Sequence, residues 1–175
     1  MEDVAKDFDE MLGHTCALEN HSEPDHNITA AHVRLRAILN KGERLCPDFV
    51  NTPIFANLTA LHAAAIWAAP KTVKFLLECK NVNLAVRDVA GRTPLCHLLE
   101  FGRYRAGARA CAGHFVDAAC HRGGDGSAII ISDVLSVPLE KLAAVRAMGG
   151  DVLTYLCDFL DKHTLDVRGL GVVVL

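Results

Sequence analysis

The chain carries no excess of charge of one sign. Its 18 Lys and Arg stand against 21 Asp and Glu, a net charge of −3 at pH 7. That balance offers no field for a phosphate backbone and excludes nucleic acid as the main partner. Long hydrophobic runs are missing as well. The longest, Ala60 to Ala69, contains His62 and is too short to span a bilayer, so no membrane partner is expected. The opening Met1-Glu2-Asp3-Val4-Ala5-Lys6-Asp7 is acidic and has neither the basic nor the apolar region of a secretory signal. Cysteine is present, at 16, 46, 79, 96, 111, 120 and 157, but the number is odd and there is no CxxC. Several of these fall on apolar helical faces, where a free thiol packs as a small hydrophobe. They read as reduced and the protein as cytoplasmic, with the nucleus as the alternative; the sequons at Asn20, Asn27 and Asn57 are then without consequence.

Catalytic signatures are also lacking. No G-x-S-x-G or recognisable nucleophilic-cysteine context occurs. Gly123 to Ser127 is glycine-rich but lacks the Gly-Lys-Ser/Thr ending that a phosphate loop requires. Asp158 and Asp161 read as a helical surface pair. The sharpest metal signal is Cys111-x-x-His114 with Cys120-His121. These four fall on one helix, and a rigid helix cannot wrap four ligands around an ion. Two core thiols and two surface histidines are the expectation, with no metal, no cofactor and no enzymatic activity.

What the sequence does contain is a pattern that occurs twice. Thr59-Ala60-Leu61-His62-Ala63-Ala64-Ala65 is followed 34 positions on, from Thr59 to Thr93, by Thr93-Pro94-Leu95-Cys96-His97-Leu98-Leu99. Each copy is trailed by an amphipathic stretch, Val73 to Leu77 after the first and Ala108, Cys111, Ala112, Phe115, Val116 and Ala119 after the second. Thr59 suits a helix N-cap, Pro70 and Pro94 the first turn of a helix, and Gly91 a tight turn within Asp88-Val89-Ala90-Gly91-Arg92. Hydrophobic residues make up 51% of the 175, which excludes a disordered tail.

Self-similarity at this period, with a T-P-L-H-x-A start, resembles the ankyrin repeat, a β-turn followed by two antiparallel helices. The resemblance implies an all-α fold: a single ankyrin-repeat solenoid over 1–175 of about four helix-turn-helix units with irregular insertions, at roughly 3–51, 52–86, 87–131 and 132–175. In the first unit Val4, Phe8 and Leu12 recur at every fourth position, His32 to Gly42 forms a second helix, and Glu19 to Asn27 is a polar linker. In the third, Cys96 replaces the family's histidine and His97 sits one position late, which predicts a weaker junction between adjacent turns. The fourth unit is degenerate, from Val137-Pro138-Leu139 through Val152 to Leu160, and Ala128 to Ile131 is β-prone.

The family binds other proteins through a concave face of turn tips and first helices. Carried onto this sequence, turn tips fall at Phe55, Ala56 and Leu58, then Val89, Ala90 and Arg92. Exposed first-helix positions fall at Ile66 and Trp67, then Glu100 and Phe101; the opposing reading folds Trp67 and Phe101 inward. Arg103, Tyr104, Arg105 and Arg109 form the one local basic cluster, either a solvated loop or a recognition loop for an acidic segment. The implied function is a protein–protein interaction scaffold. The alternative is the regulatory ankyrin domain of a larger enzyme, channel or ubiquitin-ligase adaptor. The apolar end Leu170 to Leu175 leaves three readings: it folds back over the last helix, the chain continues, or the edge self-associates.

Overall fold

A computed structural model of the chain describes residues 1–54, 57–101 and 105–121; the fourth unit, the β-prone Ala128 to Ile131 and the apolar C-terminus lie outside them. The described residues are helical and hold no strand. Six α-helices follow in order: α1 (Glu2–Asn20), α2 (Asp25–Leu45), α3 (Ala60–Trp67), α4 (Pro70–Leu77), α5 (Pro94–Glu100) and α6 (Ala108–His121), with a 3-10 turn at Phe49–Asn51. They pair as α1–α2, α3–α4 and α5–α6. The pairs stack, with α1 on α3, α3 on α5 and α4 on α6.

Hydrophobic spacing explains this arrangement. α1 buries Val4, Phe8, Leu12 and Cys16, and α2 buries Ile28, Ala31, Leu35, Leu39 and Gly42, each at three- and four-residue steps. Glu2 and Asp3 open α1 where the helix dipole favours negative charge. Ser22, at φ 55°, turns the chain sharply, and Pro24 starts α2. The expected long linker is therefore only residues 21–24, because Glu19 and Asn20 complete α1 and Asp25 to Asn27 begin α2. In α3, Ala60, Ala64 and Ala65 are buried and let neighbouring helices approach closely. α6 buries Ala108, Cys111, Ala112, Phe115, Val116 and Ala119, the face its spacing predicts.

Between successive pairs, several side chains reach backbone carbonyls 30 residues further on. Asn51 Nδ2 donates to the Asn81 carbonyl at 2.7 Å and Asn57 Nδ2 to that of Arg87 at 2.9 Å, both 30 residues on. The sequence motif repeats at 34, whereas these bonds run at 30, since each joins a side chain to a point four residues short of its equivalent in the next unit.

Gly42 marks a close approach. A Cβ there would lie 2.2 Å from Phe49 Cδ1, and Phe49 itself packs edge-on against Phe8 at 5.4 Å. Gly42→Ala is expected to lower stability by about 1–2 kcal/mol, overpacking outweighing the roughly 1 kcal/mol gain in helix propensity. Phe49→Leu in the same chain should recover part of the loss. Chemical denaturation checks both, and a stabilised Gly42→Ala would mean that the ring is free to move aside.

Candidate functional site

The site expected from the sequence centres on the turn Asp88–Arg92. Its backbone closes through Asp88 N–H to the Arg92 carbonyl (2.9 Å) and Gly91 N–H to the Asp88 carbonyl (3.0 Å), with Gly91 at φ 78°, where a side chain would be strained. Asp88 Oδ1 accepts from the N–H groups of Ala90 (2.8 Å) and Arg92 (2.9 Å), and Oδ2 accepts from Arg92 Nη2 and His97 Nε2, each at 2.8 Å. Burial pushes the Asp88 carboxyl up, but these donors outweigh it and hold its pKa well below the ordinary carboxylate range.

Two histidines flank this turn. Thr59 N–H donates to His62 Nδ1 at 3.1 Å, so Nδ1 is the acceptor and Nε2 carries the proton, which it gives to the Arg92 carbonyl at 3.1 Å. Burial pushes the His62 pKa down to about 4. His97 lies edge-on to His62, ring centroids 5.2 Å apart, and its Nδ1 is buried without a hydrogen-bond partner. The junction expected to be weaker at Cys96, from the third unit to the next, lies outside the described residues. His62 makes the bond across to the next turn, while His97, one position late, turns back to Asp88 of its own unit. Cys96 instead completes the helix cap, its N–H donating to Thr93 Oγ1 at 3.3 Å. The Asp88–His97 pair has side chains only 1% and 3% exposed, so it has no route to a substrate proton.

The expected binding residues fall into three groups. Val89, 78% exposed, and Phe101, 45% exposed, stand out from the surface. Arg92 sits over the Phe101 ring at 5.3 Å and is tied to Asp88 and, at 3.3 Å, to Glu100. The Glu100 side chain is only 8% exposed, which corrects the expectation that it faces outward; its carboxylate serves Arg92. Ile66 and Leu58 are half-buried. Trp67 falls between its two readings: half-buried, packed against the core, with the Arg105 guanidinium over its ring at 4.8 Å. Asn20 Nδ2 binds the Trp67 carbonyl at 2.9 Å, and Asn20 Oδ1 accepts from Arg105 at 3.2 Å. Phe55, Ala56, Arg103 and Tyr104 lie outside the described residues.

Arg105 also edges an open groove of about 580 Å³ between the α1–α2 turn and the starts of α4 and α6. Its carboxylates are engaged. Glu19 accepts from the N–H groups of Lys71 and Thr72 at 2.8 Å each, Asp25 pairs with Lys71, and Glu23 accepts from Asn27. Glu19 was read as linker, and no sequence signal marks it; an acid one turn from a helix end is ordinary, and its partner lies 52 residues away. Asp88 belonged to the motif, yet its service to His97 was not legible from it.

Cys111 is buried in the core beside Cys16 and Glu19. Burial, with the Glu19 charge, pushes the Cys16 thiol up to about 12, and burial likewise raises Cys111, so neither is a nucleophile at neutral pH. Cys16, Cys46, Cys79, Cys96 and Cys111 are free thiols. Among the described residues no three His, Cys, Asp or Glu converge as metal ligands; the Cys120 side chain lies outside them. No described helix is long and apolar enough to cross a membrane. Comparisons with protein-family models, with curated proteins and with solved structures find no significant match to this chain.

Proposed function

We propose that this chain is a divergent ankyrin-repeat solenoid that captures a partner protein on the face formed by its turn tips and first helices. The observation that carries the reading is the stacking of α1, α3 and α5 beside the Asp88–Arg92 turn, which projects Val89 while Arg92 and Phe101 flank it. Exposed apolar side chains next to a held arginine form a surface suited to protein contact, where aromatic and arginine anchors dominate binding energy. The partner is another protein, held without catalysis, metal or cofactor, in the cytoplasm or nucleus.

Val89→Arg should leave stability within about 0.5 kcal/mol of wild type, as exposed positions do, whereas Phe101→Ala should cost about 1 kcal/mol, because its ring also packs against His97 at 5.4 Å and under Arg92. Each should weaken partner capture by roughly fivefold or more, as hot-spot truncations do. Affinity capture from lysate, with a thermal melt of each variant, checks this; unchanged capture by both would remove this face from the function. Trp67→Ala is a poorer probe, because the half-buried ring also supports the core and its loss lowers the melting temperature as well.

A further inference from the structure

We infer that the Asp88–Arg92 turn is a proton-released latch, held closed by two neutral histidines and let go when they are protonated. Both imidazoles grip this one turn, His62 Nε2 on the Arg92 carbonyl and His97 Nε2 on the Asp88 carboxylate.

A second proton is opposed on His62 by its contact with the Thr59 N–H and on His97 by the burial of Nδ1, although the charge would strengthen the His97 bond to Asp88. On His62 the added proton would sit on Nδ1, where the Thr59 N–H already donates at 3.1 Å; the Thr59 hydroxyl, 2.9 Å away, can accept it, but the Thr59 N–H would lose its acceptor and with it one half of the capping box of α3. On His97 it would sit on the buried, unpartnered Nδ1 and create a donor with no acceptor. The rings lie 5.2 Å apart, so charging one opposes charging the other. Among the described residues, the charged groups that act on them are these. The turn supplies Asp88, which favours the imidazolium, and Arg92, which opposes it; α5 supplies Glu100, engaged with Arg92; and α3 supplies His62 itself. α6 also packs on α5, but its buried thiol, Cys111, lies by Cys16 and Glu19 instead. Burial depresses the pKa of both histidines, in line with the geometry.

The sign follows. A histidine held below its ordinary value favours the closed turn fully above about pH 6.5, and that advantage is lost as pH falls toward about 4. A free imidazole at 6.5 against one held near 4 makes opening on the order of thirtyfold easier at pH 5 than at pH 7.5 from His62 alone. The opening belongs to the turn itself. Its consequence, partner release in acid, rests on the binding-face reading, so exchange measured on the protein alone tests the latch without that reading.

The experiment is amide hydrogen exchange on the wild-type chain at pH 7.5 and pH 5, corrected for intrinsic rates. The Asp88, Gly91 and Arg92 amides should lose roughly thirtyfold protection while those of Leu12 and Leu39 in α1 and α2 hold. Unchanged turn protection overturns the proposal, and so does a parallel loss in α1 and α2, which would be global unfolding. His97→Gln keeps a donor for Asp88 without titrating and should blunt the response; a response equal to wild type excludes His97 from the latch. Should that variant not fold, the wild-type ring signals decide. Titration of His62 and His97 at the free value with the turn still protected overturns the inference, and titration below it together with opening of the turn upholds it.

Discussion

Asp88→Ala is expected to lower the unfolding free energy by about 3–5 kcal/mol, the cost of removing one partner from a buried ionic network. For a chain of this length that is a fall of roughly 10 °C in melting temperature. The side chain is 1% exposed and accepts from two backbone N–H groups, the Arg92 guanidinium and His97. Alanine would strip the turn of its internal acceptor and leave the His97 Nε2–H buried beside an already unpartnered Nδ1. Asp88→Asn separates two contributions. Its carbonyl oxygen still accepts the Ala90 and Arg92 N–H groups, so it should cost about half as much, the remainder being the lost charge toward Arg92 and His97. The wild-type contribution of Asp88 is present above its ordinary value of 3.8 and is lost as pH falls from there, because its folded pKa is depressed. Urea titrations of the three proteins at pH 7 and pH 3 would check both points. An alanine variant within 1 kcal/mol of wild type would mean that the network is not closed in solution.

The second large effect is expected at Glu19. Its carboxylate, 4% exposed, lies against the start of α4 and accepts from the N–H groups of Lys71 and Thr72, and at 2.5 Å from the Thr72 hydroxyl. Here α1 supplies the N-cap that Ala69 cannot provide for α4, and places a negative charge where the helix dipole favours it. Glu19→Ala should cost about 2–4 kcal/mol, several charged hydrogen bonds together with the cap. Glu19→Gln should cost about 1 kcal/mol, because an amide oxygen can replace part of the cap. Because the loss falls on the contact between the first two helix pairs, exchange protection in α4 should fall more than in α5. Equal loss in both helices would argue that Glu19 steadies the chain generally rather than capping α4.

These two acids divide what could be read in the sequence from what could not. The helices could, because apolar residues at three- and four-residue steps decide helix faces locally: Val4, Phe8 and Leu12 in α1, and Cys111, Phe115 and Val116 in α6, are buried where their spacing placed them. The cap at Thr59 and the turn at Gly91 followed from the same short-range chemistry, and the structure adds the same cap at Thr93. Asp88 was visible as a turn residue. Glu19 was misplaced into a linker, since its partners at Lys71 and Thr72 lie on another helix pair. Glu100 was placed on the surface by family register alone, and packing drew it toward Arg92; for Trp67 the sequence left surface and core both open, and its ring lies half-buried against the core.

The sequence by itself thus determined the helical class, the six helices and the motif that spaces them, because periodicity, capping and turn formation act over a few residues. Tertiary structure alone decided which side chains are spent on holding the molecule together: Glu19 on α4, His62 on the Arg92 carbonyl, and His97 on Asp88 with one nitrogen left over. Those pairings depend on stacking that brings residues 9 to 53 positions apart within hydrogen-bond reach, and no local pattern encodes such distances.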